Sequence, residues 1–97
     1  MIRHILYFMS ELRKTYIIEE SGRYVEYRRL NDISGILGQG KSIFVRIHKS
    51  YLVNYHHIVR FSYDTVELSN GERLPVSSRR KQEVDEQLVK LMSLLPR

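Results

Sequence analysis

The sequence predicts a small, mainly β domain with a short middle helix and a C-terminal amphipathic helix. Val45 and Ile47 alternate with polar neighbours, which is typical of a half-buried strand. Glycine-containing loops at residues 20–22 and 69–71 separate further strand-like stretches and therefore predict two hairpins. The C-terminal helix is predicted from apolar residues at helical spacing, namely Val84, Leu88, Leu91 and Leu95.

The predicted strands begin with residues 5–8, an apolar stretch expected to be buried. Residues 15–18 and 24–28 predict two strands joined by Glu20-Ser21-Gly22, with Gly22 in the left-handed conformation. A loop of those three residues places Glu19 opposite Arg23, and Ile17 opposite Val25 on the other face.

The second predicted hairpin turns at Ser69-Asn70-Gly71. A two-residue Asn-Gly turn would put Val66 opposite Pro75 and would mix the faces of the strands. A loop of three residues puts Val66 opposite Leu74 and is therefore preferred. Residues 57–63 predict a further strand.

The middle helix is predicted after Leu30. Asn31 or Asp32 can cap its start, and Gly38 or Gly40 can end it. Its apolar stripe is expected to consist of Ile33, Ile36 and Leu37. The C-terminal helix is expected to begin at a cap provided by Ser77 or Ser78, and Pro96 prevents its continuation.

The composition indicates one domain, over residues 1–97, with one modest core. The chain has no cysteine, which excludes disulfides and fits a reducing compartment, the cytoplasm. Its apolar runs are only a few residues long, so no membrane span is predicted. The net charge of +5 favours nucleic acid as a partner ahead of an acidic membrane surface.

The most informative stretch runs from Phe44 to Asn54. It begins as a strand and then presents His48, Lys49 and Ser50, a group of polar side chains suited to an anion. His48 has a second interpretation, in which the imidazole is partly buried and bonded to backbone. Charge alone also makes Arg13 and Lys14 candidates, since they lie just before a predicted strand. Two neighbouring cations are, however, usually only part of the solvated surface.

A second basic segment opens the last helix, where Ser78 is followed by Arg79, Arg80 and Lys81. Cations at a helix start oppose the helix dipole by about 0.3–1 kcal/mol each, so helix stability does not explain them. Cations and free N–H groups together form a phosphate site. The alternative is a solvated run of charge.

The sequence predicts neither a cofactor nor catalysis. It lacks a glycine-rich phosphate loop, a nucleophile elbow and a His-Glu zinc motif. His48 and Ser50 lack a third group that would complete a triad. His56 and His57 point to opposite faces if they lie on a strand, so they are not expected to share a metal ion.

Several motifs together closely resemble the LytTR family of bacterial DNA-binding domains. The central one is Phe44-Val45-Arg46-Ile47-His48-Lys49-Ser50-Tyr51-Leu52-Val53-Asn54. An early Ile5-Leu6-Tyr7, Ile58 after the Val-Asn pair, and Asn70-Gly71 followed by Leu74-Pro75-Val76-Ser77 also resemble the family pattern in the same order. The resemblance covers nearly the whole chain.

The resemblance implies a mainly β fold that binds double-stranded DNA through loops and strand ends entering successive major grooves. It implies a transcription regulator acting at repeated sites, commonly behind a receiver domain of a two-component response regulator. Its DNA contacts would fall on three segments, namely Arg13 and Lys14, then Lys49, then Ser78, Arg79 and Arg80. The predicted DNA-binding residues also include His48 and Ser50 beside Lys49, and Lys81 after the last segment.

The chain departs from the family pattern at two places. Phe8-Met9-Ser10 stands where Glu and a small residue are common, and Ser78 separates Pro-Val-Ser from Arg79. Most members have further strand residues before the position of Met1, so three alternatives stay open: a minimal domain, a domain with a truncated N-terminal strand region, or a standalone regulator.

Two alternatives to sequence-specific DNA binding remain open. One is a small β-rich protein-interaction module with a basic face. The other is a single-stranded RNA binder that stacks bases on its tyrosines, of which the chain has seven. A DNA-binding domain should prefer a specific duplex, and an RNA binder should prefer single strands.

Overall fold

Two antiparallel sheets and two α-helices make up the computed structural model, which describes residues 2–37 and 43–95. The helices are α1 (Leu30–Leu37) and α2 (Lys81–Leu94), and short 3-10 turns cover Ile2–His4, Tyr55–His57 and Ser78–Arg80. The strands are β1 (Ile5–Glu11), β2 (Lys14–Glu19), β3 (Gly22–Glu26), β4 (Phe44–His48), β5 (Tyr51–Asn54), β6 (Ile58–Phe61), β7 (Thr65–Leu68) and β8 (Arg73–Pro75).

The larger sheet contains five strands in the order β3-β2-β1-β5-β4, and the smaller one contains β6-β7-β8. All pairs are antiparallel. The larger sheet therefore places β5 against β1, although β5 follows far behind it in sequence. This arrangement confirms the predicted mainly β fold with a middle and a C-terminal helix.

The larger sheet is covered on both faces around β1, β4 and β5. Side chains on one face join α1 in a cluster that includes Phe8, Phe44 and Leu52. Those on the other face, including Val45 and Ile47, join α2 and the smaller sheet in the main core. The alternation of side chains along β4 thus supplies both clusters, as its sequence predicts.

The first hairpin differs from the predicted register. Ile17 pairs with Tyr24, and Glu19 pairs with Gly22, so Glu20 and Ser21 form a two-residue turn. The predicted loop of three residues is therefore wrong. The prediction assumed one buried face, but every side chain of β3 before Glu26 is exposed, and burial cannot fix the register of such a strand.

The second hairpin has the predicted register. Val66 pairs with Leu74, and both side chains are buried. The N–H of Gly71 donates to the carbonyl oxygen of Leu68 at 2.9 Å. Gly71 has a φ of +91°, a conformation that glycine adopts without the steric cost of a side chain. Here one buried face does determine the pairing.

Helix α1 begins at Leu30, two or three residues earlier than a cap at Asn31 or Asp32 predicts. Asn31 and Asp32 lie within its first turn rather than at a cap, and Ile36 is 57% exposed. The buried residues are Leu30 and Ile33, and Leu37 of the predicted stripe is partly buried against the same cluster. The predicted endings at Gly38 and Gly40 lie outside the described residues.

Helix α2 packs on the main core through the predicted stripe. Val84 and Leu88 are buried, and Leu91 is partly buried against them. Leu95 lies beyond the last helical residue and is 37% exposed, so it does not extend the stripe. Pro96 lies outside the described residues. The strand predicted over residues 57–63 is shorter, because His57 belongs to a 3-10 turn and β6 ends at Phe61.

Within the described ranges, neither helix has the length and apolar character needed to cross a bilayer.

Candidate nucleic-acid interface

The turn between β4 and β5 holds Lys49 at one end of the larger sheet. The backbone N–H of Ser50 donates to Nδ1 of His48 at 3.1 Å. The carbonyl oxygen of Ser50 accepts from the N–H of Ser10 at 2.9 Å, which ties the turn to β1. Lys49 is exposed and takes part in none of the ion pairs found among the described residues. The turn is therefore fixed while its ammonium group faces solvent.

His48 supports this turn. Its ring lies 5.3 Å from that of Tyr51, and its Nδ1 accepts a backbone hydrogen bond, as the second interpretation of this residue proposed. Burial lowers the pKa of His48 below its ordinary value, and the charges of Lys49, Arg80 and Arg46 lower it further. The lowered pKa favours the neutral imidazole, in agreement with an Nδ1 that accepts from the Ser50 N–H.

Arg46 bonds the backbone of the same turn. Its Nε donates to the carbonyl oxygen of His48 at 2.8 Å, and Nη2 donates to that of Lys49 at 2.6 Å. Nη2 also donates to Oδ1 of Asn31 on α1 at 3.0 Å. Burial, and then the charge of Arg80, lower the pKa of the guanidinium below its ordinary value. The turn is consequently joined to α1 as well as to β1.

A cleft of about 600 Å³ opens beside the turn, and we refer to it as the basic cleft. It is lined by cations from four segments, and none of its lining residues is a carboxylate. The lining residues are Ser10, Arg13, Thr15, Arg29, Leu30, Asn31, Arg46, Lys49 and Arg80. Repulsion among neighbouring cations is unfavourable without a counter-charge, so the cleft is suited to an anion.

A smaller cleft of about 390 Å³ adjoins it on the side of α2. Arg79 lines this cleft together with His48 and Glu83. Lys49 and Arg80 line both clefts, so the two form one continuous basic surface at this end of the larger sheet.

The β1–β2 turn supplies Arg13. Leu12 and Arg13 have φ values of +51° and +68°, and Leu12 is 91% exposed. Such backbone is unfavourable for leucine and tends to occur at functional sites. Lys14 is the first residue of β2, where it pairs with Glu11, and it is exposed outside both clefts. The structure thus separates the two neighbouring cations.

The segment before α2 is a 3-10 turn over Ser78–Arg80, and the helix begins at Lys81. Neither Ser77 nor Arg80 caps through its side chain, so the predicted cap at Ser77 or Ser78 is wrong. Ser77 is extended because its N–H donates to the carbonyl oxygen of Ile47 at 2.9 Å. Its hydroxyl is buried without a hydrogen-bond partner.

Lys81 differs from the two arginines that precede it. Its Nζ lies 2.5 Å from Oδ1 of Asp64 and 5.7 Å from the centre of the Tyr63 ring. Both partners belong to the β6–β7 loop, so Lys81 faces the smaller sheet rather than the basic cleft. Ser78 is exposed and also lines neither cleft.

The structure therefore gathers Arg13, Lys49 and Arg80 around one cleft and places Arg79 beside it. It adds Arg29, Arg46 and Asn31, which the sequence analysis did not select. The alternation of β4 offered one signal, because it places Arg46 on a side of the strand away from the main core. Nothing in the sequence pattern indicated that α1 would meet the β4–β5 turn.

The histidines show no metal-site geometry. Across residues 2–37 and 43–95, no three potential ligands from His, Cys, Asp or Glu cluster together. The His57 ring instead contacts Oγ of Ser69 at 3.0 Å and the carbonyl oxygen of Arg3 at 2.9 Å.

A basic surface built by strand ends and turns, on a sheet covered by helices, defines a small β domain suited to a polyanion. Comparison with family models matches residues 1–89 to the LytTr DNA-binding domain. The chain belongs to the LytTR family of DNA-binding domains.

A solved structure supports the same assignment. The LytTr DNA-binding domain of a protein described as a methyl-accepting/DNA response regulator from Bacillus cereus has a TM-score of 0.70 and 27% sequence identity. The alignment covers 93% of this chain and 82% of that one. The comparison with curated proteins gives no match.

Proposed function

We propose that this domain binds double-stranded DNA sequence-specifically, as the output domain of a bacterial transcription regulator. The end of the larger sheet that carries the basic cleft enters the major groove. The observation that carries the proposal is the convergence of Arg13, Lys49 and Arg80, from three distant segments, on one cleft without carboxylates. Membership of the family supports DNA as the polyanion.

The side chains have different roles in this proposal. Lys49 and Arg79 are exposed on this basic surface and contact base edges. Arg13 and Arg80 contact phosphates from within the cleft, while His48 and Ser50 shape the turn that carries Lys49. Lys14, Ser78 and Lys81 contact the flanking backbone, with the charge of Lys81 partly neutralised by Asp64.

The wider context follows from the same proposal. The domain acts in the cytoplasm at repeated sites, downstream of a receiver domain or another element of a sensor pathway. The related Bacillus cereus protein is described as a response regulator, which supports this context.

The proposal can be tested by selecting a preferred duplex from a randomised pool. The ability of that duplex and of a scrambled duplex to compete for binding to the domain is then measured. We expect the specific duplex to compete better by about 10³-fold or more, as is typical of specific binding. A variant carrying Arg13→Asn, Lys49→Ala and Arg80→Ala should lose this preference. Asparagine is used at position 13 because it tolerates positive φ.

The matched control carries Arg60→Ala, Arg73→Ala and Lys90→Ala. It loses the same charge from exposed positions outside both clefts, so it should keep the preference for the selected duplex. Equal losses in the two variants would indicate a general charge effect and contradict the proposal. Preferential binding to single strands would favour the RNA alternative, and no binding to nucleic acid would favour the protein-interaction module.

A further inference from the structure

We infer that Arg46, oriented by Asn31, is a positioning residue that sets the DNA sequence preference of Lys49 without contacting a base itself. The inference rests on the proposed function and deepens it. Three hydrogen bonds carry it, and they join strand β4, the β4–β5 turn and helix α1 through one guanidinium group.

Arg46 holds the backbone of the β4–β5 turn. Two consecutive carbonyl oxygens, those of His48 and Lys49, accept from Nε and Nη2 of Arg46 at 2.8 and 2.6 Å. The guanidinium group is planar, and its donors have a fixed relative geometry. Holding two successive carbonyls therefore fixes the orientation of the peptide groups on which the Lys49 side chain is mounted.

Asn31 orients the guanidinium group of Arg46. Arg46 could rotate about its own side-chain bonds, but Nη2 also donates to Oδ1 of Asn31 at 3.0 Å. Asn31 lies in the first turn of α1, which is anchored on the sheet by the buried Leu30 and Ile33. The acceptor is thus part of a packed helix, and it selects one orientation of the guanidinium group.

The third step concerns cost. Arg46 is partly buried close to Arg80, whose charge helps to lower its pKa. Repulsion from Arg80 disfavours a cation at this position, but the guanidinium fork can donate to both carbonyl oxygens of the turn, and lysine cannot reproduce that geometry. The placement of a cation among cations is explained by its effect on the turn.

The test uses the selected duplex and three duplexes that differ at the base pair where Lys49→Ala reduces discrimination. A good base contact discriminates by about 5- to 140-fold. Asn31→Ala should reduce that discrimination by about 2- to 12-fold, the range expected for one hydrogen bond. Asn31→Asp retains an acceptor oxygen and should retain the discrimination between duplexes, while its carboxylate in the basic cleft should weaken binding to all of them alike.

Arg46→Lys separates positioning from a phosphate contact. It keeps the charge but loses the fork, so a positioning role predicts reduced discrimination and an unchanged dependence of affinity on salt. If Arg46 instead contacts a phosphate, Arg46→Ala should leave discrimination intact and should reduce the slope of log affinity against log salt by about one. That result would overturn the inference.

A double-mutant comparison tests whether the effect passes through Lys49. Asn31→Ala should have no further effect on discrimination once Lys49→Ala is present, because the positioned group is gone. Ser34→Ala, a neutral change on the same helix, is the matched control and should leave discrimination unchanged. Thermal unfolding should show Asn31→Ala folded, since Asn31 is exposed.

Failure of the inference and failure of the proposed function are distinguishable. If Lys49→Ala reduces discrimination but Asn31→Ala and Arg46→Lys do not, the inference is wrong and the proposed function stands. If the unmodified domain binds no duplex preferentially, or Lys49→Ala changes nothing, the assignment of Lys49 fails and the inference fails with it.

Discussion

The backbone N–H of Ser77 donates to the carbonyl oxygen of Ile47 at 2.9 Å. This single bond joins the segment before α2 to strand β4, close to the point where β4 enters its turn. Together with the packing of Val76 and Val84 in the same core as Ile47, it brings Arg79 and Arg80 beside Lys49, although about thirty residues separate them in sequence. Each prediction about DNA contacts depends on this proximity.

Lys49→Ala and Arg79→Ala should each reduce binding to the preferred duplex. A side chain that contacts a base edge contributes about 1–3 kcal/mol, and its loss also weakens the preference among sequences. Fluorescence anisotropy with matched and base-substituted duplexes measures both effects, and Lys90→Ala serves as an exposed control on α2. Unchanged binding in both variants would refute these contacts while leaving the fold intact.

The affinity should fall steeply with salt. Each neutralised phosphate contributes a slope of about −0.9, so about four to eight contacts give a slope of log affinity against log salt of about −4 to −7. Titrations between about 50 and 200 mM monovalent salt measure it. A slope near zero would show that the basic surface does not bind the DNA backbone.

The bound duplex should be bent. The longest dimension of the domain is 33 Å, close to one turn of B-DNA at about 34–36 Å, and its cations line a concave surface. Bending toward that surface brings the flanking contacts within reach at a cost of about 1–6 kcal/mol. Energy transfer between dyes at the duplex ends measures the bend, and stiff A-tracts at uncontacted steps should weaken binding.

Helix α2 should present only its first turn to DNA, because Val84 and Leu88 are buried against the core. A footprint or a structure of the complex tests this part of the prediction. A straight duplex contacted by the face of residues 82–95 would contradict both the bending and the mechanism.

The domain should lose stability as the pH falls through the titration range of His48. Its pKa is lowered in the folded state, so the unfolded chain, with a pKa of about 6.5, binds the proton first. The stability contribution is complete above about pH 6.5 and decreases below it, until the folded state is also protonated.

Urea unfolding of the domain and of His48→Asn at several pH values measures this effect. Asparagine offers a neutral acceptor for the Ser50 N–H, so the unfolding free energy of the His48→Asn domain should vary less between about pH 7.5 and 5.5. Parallel curves for the two proteins would contradict the role assigned to His48.

Asn54→Ala should destabilise the fold by about 1–3 kcal/mol, the cost of leaving a buried polar group unsatisfied. Asn54 is fully buried, donates to the carbonyl oxygen of Ile5 at 2.8 Å and accepts from the N–H of His56 at 2.9 Å. Urea unfolding measures the change. Gln82→Ala, at an exposed position, is the control. An equally small change of the unfolding free energy in both variants would show that Asn54 is dispensable for stability.

The sequence was sufficient for several elements in which one face is buried. The register at Val66 and Leu74, the alternation of β4 and the positions of Val84 and Leu88 all follow from burial. The β2–β3 register could not be predicted from burial, because β3 lacks a buried face.

The candidate site was only partly predictable for a different reason. Lys49 and Arg79 belong to motifs, but Arg29 and Asn31 enter the basic cleft through tertiary contacts of α1. The capping prediction failed because a 3-10 turn over Ser78–Arg80 precedes α2, and Ser77, which stands before that turn, makes no side-chain cap bond.

The exposure of β3 has a practical consequence for spectroscopy. The chain contains no cysteine, so Ser21→Cys would create a unique thiol at the tip of the β2–β3 hairpin. The exposed Ser21 hydroxyl bonds the side chains of Glu19 and Tyr24, and it lines neither cleft. A fluorophore attached there would report the tumbling of the domain while leaving the core and the proposed interface unaltered.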